Sequence, residues 1–114
     1  MSSSVAVIIV NYATADLAIA AVDSVLSRQH GSHPVAVHVV DNASPNGDAA
    51  VLAKAHAARD WEGRVTGVLK LDALAIAMAV DPDDRTLYAI RLEPQPSIVR
   101  YTLPGSTART ASAR

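Results

Sequence analysis

The chain has no cysteine and no phenylalanine, one tryptophan, no long basic run and no apolar stretch of membrane-spanning length. Without cysteine there are no disulfides and no thiolate metal sites, and a reducing compartment is compatible with the sequence. Aromatic residues make up 4% of the chain against 50% hydrophobic residues overall, so the core is expected to be built from Ala, Val, Leu and Ile. A net charge of −1 with mixed signs lacks the basic field of a nucleic-acid binder, so no nucleic-acid partner is expected. Met1 to Ser4 offers neither a charged leader nor a long apolar segment. The expectation is a soluble cytoplasmic chain with no signal peptide and no transmembrane segment.

What is present is organised around Val5 to Asp16. Val5 to Val10 is a short, mostly β-branched apolar run without face alternation, as in a central parallel strand buried on both sides. It breaks at Asn11, Tyr12 and Thr14, which places those residues at the carboxyl end of the strand, where open α/β sheets bind ligands. Thr14 is a candidate N-cap and Asp16 a favourable first-turn acid for a helix from Ala15 to about Arg28. Ala18, Ala21, Val22, Val25 and Leu26 share one side of that helix, and Asp16, Asp23 and Ser27 the other. Gln29 to Pro34 reads as a stop and loop. A second apolar strand, Val35 to Val40, ends in the turn formers Asp41 to Asp48. A second helix from about Asp48 to Arg59 turns Val51, Leu52 and Ala55 inward, with Trp61 anchoring its end. Right-handed crossovers make the two strands parallel neighbours.

Three stretches carry a resemblance: Val7-Ile8-Ile9-Val10-Asn11-Tyr12 followed by Thr14 to Leu17, a helix ending Asp23 to Gln29, and then Val39-Val40-Asp41-Asn42-Ala43-Ser44. Together they resemble the N-terminal portion of family 2 glycosyltransferases, the rhamnosyltransferase-like branch with the GT-A fold. The resemblance covers roughly the first half of the chain. It implies a three-layer, Rossmann-like α/β half with a mainly parallel sheet, and a pocket for a UDP-, dTDP- or GDP-linked sugar. In that pocket Tyr12 is implied to face the base, Asp41 to accept a hydrogen bond from base or ribose, and Asn11, Thr14 and Asn42 to line the site. The bland alternative is an Asx-type turn at Asp41 to Ser44 and a half-buried ring at Tyr12.

The second half, 62–103, is read as a third strand within Arg64 to Leu71, a stretch from Asp72 to Val80 that suits a strand or an Ala-rich helix and is taken as a helix turning into a strand near Ala77, and two alternating strands, Thr86 to Glu93 and Ser97 to Leu103. The last pair looks like a small antiparallel meander of the kind found in β-propeller blades. Asp81 and Asp83 match the Asp-x-Asp pattern by which the resembled family holds Mg²⁺ or Mn²⁺ on the donor diphosphate. Asp81 to Asp84 also reads as an ordinary hairpin connection, the reading its flanking alternation favours. His30, His33, His38 and His56 form no zinc motif and are expected in loops or on the surface. One domain over 1–103 and a disordered tail over 104–114 are expected.

Two functions follow: a glycosyltransferase-like protein that binds a nucleotide sugar but is too short to be a complete catalyst, or a non-catalytic interaction module. No residue matches a catalytic base. An exposed edge in so short a sheet invites self-association as a homo-oligomer.

Overall fold

A computed structural model describes residues 5–28, 35–58, 64–82 and 85–104. Eight elements follow one another: β1 (Val5–Asn11), α1 (Ala15–Leu26), β2 (Val35–Asp41), α2 (Asp48–Ala58), β3 (Val65–Lys70), β4 (Ala77–Val80), β5 (Thr86–Arg91) and β6 (Ser97–Thr102). They form two three-stranded sheets, one in the order β1-β2-β3 and one in the order β4-β5-β6. The first is parallel and the second antiparallel. The α/β class and the C-terminal meander therefore stand as expected.

The layers are not those of a Rossmann-like GT-A half. Both helices lie on one face of the parallel sheet, where Ala18 and Val22 of α1 and Leu52 of α2 pack on Val37, Val39 and Val65. The opposite face carries no helix among the described residues; Val40 and Leu69 meet Leu87, Ala89, Val99 and Tyr101 of the antiparallel sheet there. The order is thus helices, parallel sheet, antiparallel sheet. Alternation explains it: successive residues of a strand point to opposite faces, so Val39 serves one core and Val40 the other. The central strand buried on both sides is β2; β1, expected in that place, is an edge strand paired only with β2 among the described residues, with Val5, Ala6 and Val10 exposed and Val7 to Ile9 half-buried.

Tyr101 is the largest fully buried side chain, and the core is not purely aliphatic. Burial and a hydrogen bond to Asp72 push its hydroxyl up to about 12. His38, expected at the surface, is buried in the middle of β2 with its Nδ1 2.9 Å from the Thr66 hydroxyl. The pairing of β2 with β3 slips between Val37↔Val65 and Val39↔Val68, leaving one extra residue in β3. Gly67 sits in that bulge at φ +142°, and a Cβ there would lie 2.7 Å from Pro104, so only glycine lets the end of the last strand close on β3.

The expected helix from Asp72 does not form. Asp72 to Ile76 is an irregular crossing between the sheets, flanked by buried Leu71 and burying Ala75, and the chain enters β4 at Ala77. The alanines favour a helix only weakly, and burying both side chains while reaching the second sheet outweighs that preference. Of the residues expected to face inward on α2, Leu52 is buried as expected and Val51 is exposed. The expected anchor Trp61, the loop expected over Gln29 to Pro34 and the tail expected after Pro104 lie outside the described residues. No helix among the described residues is long and apolar enough to cross a membrane.

Candidate functional site

The parallel register sets Asn11 opposite Asp41, so β1 and β2 end side by side. The backbone continues the pairing one step further: Asn42 N donates to Asn11 O at 2.8 Å, and Leu71 N donates to Asp41 O at 2.9 Å. Each of the first two strands then turns through a left-handed alanine, Ala13 and Ala43, both at φ 57°. A non-glycine residue there costs roughly 1–2 kcal/mol, and two such turns side by side mark an over-determined edge.

Asn11 and Asp41 are fully buried, with 0% exposure for each. The Asn11 amide donates from Nδ2 to Asp41 Oδ1 at 2.9 Å and to Asp48 Oδ2 at 3.0 Å. Its Oδ1 accepts from the Thr14 backbone N–H at 3.2 Å and the Thr14 hydroxyl at 3.1 Å. Two carboxylates on one side and two donors on the other fix which way the amide points. The Thr14 hydroxyl is therefore spent on Asn11. Although Thr14 precedes α1, it makes no side-chain cap.

Ser44 closes the cluster. Its hydroxyl donates to Asp41 Oδ1 at 2.6 Å and accepts from Ala13 N at 2.9 Å, while its own N–H donates to Asp41 Oδ2 at 3.3 Å. The last bond is the Asx-type turn that the bland reading of Asp41 to Ser44 expects. Asp48 is the first residue of α2, where a carboxylate meets the positive end of the helix. Sequence reasoning misses Asp48 as a site residue, although a carboxylate shortly after a strand-end aspartate is visible in the chain. Asn42 does different work: its side chain donates to Ala75 O at 3.0 Å and accepts from Ala75 N at 2.8 Å, clamping the crossing between the sheets.

Two clefts flank Ser44 and Asp48. One, of about 460 Å³, is lined by Ala43, Ser44, Lys70, Leu71 and Asp72. The other, of about 280 Å³, runs from Ala13 and Thr14 past Asp16 and Leu17 to Asp48 and Val51. Tyr12, between Asn11 and Ala13, is 49% exposed. Of the predicted residues, Asn11, Thr14 and Asp41 are brought together, Tyr12 adjoins them, and Asn42 faces the crossing. Lys70 and Asp72, which share the larger cleft, escape the sequence reading; the signal for Lys70 is a cation closing the third apolar strand.

Asp81 lies apart from this cluster in the connection from β4 to β5. Its backbone N–H donates to Thr86 O at 2.9 Å and its Oδ2 accepts from the Tyr88 hydroxyl at 3.2 Å, as a hairpin requires. Asp83 lies outside the described residues. Among the described residues no group of three His, Cys, Asp or Glu side chains could hold a metal ion. A Mg²⁺ or Mn²⁺ ion takes several oxygens, of which the described residues of this turn show the Asp81 carboxylate, engaged by Tyr88. No family model, no curated protein and no solved structure matches this chain.

Proposed function

We propose that this chain binds a nucleotide-sugar donor at the carboxyl edge of its parallel sheet and is glycosyltransferase-like in that respect. The observation that carries the reading is the cleft shared by Ser44, beyond β2, and Lys70 to Asp72, at the end of β3. It lies beyond strand carboxyl ends, the position at which open α/β sheets receive ligands. Tyr12 supplies an exposed ring on which any base can stack. The Lys70 ammonium supplies the positive charge a diphosphate needs. Asp41 takes an N–H or O–H of base or ribose in exchange for the Ser44 hydroxyl, and Asn11 and Asp48 hold it in place. Glycosyl transfer to an acceptor is the family's reaction; no residue here is assigned as its base, and no step is routed through a cation at Asp81 and Asp83.

A second reading, a non-catalytic interaction module, draws on a specific observation: Asn11, Asp41, Ser44 and Asp48 already satisfy one another. Calorimetric titration with UDP-, dTDP- and GDP-sugars, with and without Mn²⁺, separates the two. Donor binding predicts heat with at least one nucleotide, no dependence on Mn²⁺, and a roughly ten- to hundredfold loss of affinity in Tyr12→Ala, the scale of one base stack. Silence with every nucleotide from a folded chain leaves the interaction module. Binding that requires Mn²⁺ and fails in Asp81→Ala would restore the cation.

A further inference from the structure

β1 and β2 have nearly the same sequence character, yet β2 is largely buried and β1 is largely not. The difference is one neighbour. β2 lies between two strands, whereas β1 pairs only with β2 and leaves its other edge of backbone N–H and C=O groups open among the described residues. Its side chains serve both cores: Val7 and Ile9 pack with the helices, and Ile8 packs with the antiparallel sheet. Val5 and Val10 remain 45% and 47% exposed.

Proteins blunt open edges with charges, prolines, bulges or brevity. The other edge strands of the two sheets use these devices. β3 has the Gly67 bulge and ends in Lys70, β4 has four residues, and β6 carries Arg100. Val5 to Val10 has no charge, proline, glycine or bulge. Whatever covers it must be a strand that is apolar on both faces. The chain's own residues 105–114 hold no aliphatic side chain larger than alanine and do not meet that requirement. β1 itself does.

We propose that two copies of this chain pair through β1, antiparallel and about a two-fold axis normal to the sheet, giving one continuous sheet with β1 and its copy at the centre. Such an axis passes through a pair of identical residues, so opposed positions have the same parity and each face keeps its layer on both sides of the join. Centring on Ile8, the middle of the seven-residue strand, uses the whole element. It sets the β-branched Val7 against Ile9 and the small Ala6 against Val10 of the second copy, with no like charges opposed.

The register supplies the test. Sedimentation of the full chain from about 1 µM to about 1 mM is expected to give twice the 11.9 kDa chain mass at the upper end. Ala6→Lys with Val10→Lys sets lysine against lysine twice in the dimer and is expected to give the single-chain mass throughout. Ala6→Glu with Val10→Lys sets opposite charges together and is expected to restore the dimer. Both positions are exposed in the single chain, so circular dichroism should show all three proteins folded. A single-chain mass for the unmodified protein at every concentration overturns the proposal. So does a dimer that survives the double lysine change, or one that the Glu and Lys pair fails to restore. None of these readings depends on a nucleotide, so the donor site stands or falls separately.

Discussion

The two sheets handle polarity in opposite ways. In the parallel sheet β1 and β2 end in buried polar residues that bind each other, and the helices begin beside them. The antiparallel sheet buries an alternating stripe, Leu87, Ala89, Val99 and Tyr101, whose one polar side-chain group reaches out to Asp72. Parallel strands finish at the same edge and gather their polar ends there; antiparallel strands finish at alternate edges and scatter them. A site can be built at the first edge from a few neighbouring turns, while the second sheet supplies cover.

The largest expected effect breaks the seam between the sheets. Leu87→Ala removes a fully buried side chain from the core both sheets share and should cost about 2–5 kcal/mol, read from urea unfolding. Because the seam is common, the loss should appear in one transition and not in a separate melting of the meander.

Next in size is a blow to the polar edge alone. Asn11→Ala deprives two carboxylates and the Thr14 hydroxyl of their partner and should cost about 2–3 kcal/mol in the same measurement. The accompanying changes in amide chemical shift should centre on the turns after β1 and β2 and spare β5 and β6. The smallest effect falls on the buried tyrosine. Its folded-state value near 12 lies above the ordinary value near 10, so its contribution is intact below pH 10 and is lost as pH rises toward 12. Stability should fall across that window, and Tyr101→Phe should remove this alkaline component from the unfolding profile.

Much of this contrast is legible in the sequence. The β-branched runs of β1 and β2 and the turn formers after them point to a parallel pair with polar residues gathered at its carboxyl end. Alternation from Thr86 onward points to the meander. Its placement is not legible, because alternation tells that a strand has two faces and not which layer will cover them. The crossing from Asp72 to Ile76 misleads for a related reason: the clamp from Asn42 to Ala75 joins residues 33 positions apart, and local propensity carries no trace of it. Asn42 looks like a ligand-facing residue for the same lack of long-range information. Asp41 is correctly placed at an edge, but its burial comes from Ser44 and Asn11 folding over it, which no spacing rule reports.

The most direct test of ligand placement is a titration of the ¹⁵N-labelled chain with UDP, followed by amide chemical shifts. Binding at the carboxyl edge predicts shifts at Tyr12, Ala43, Ser44 and Lys70, with β5 and β6 unmoved. Shifts confined to Thr86 to Thr102, or none at saturating nucleotide, would contradict it.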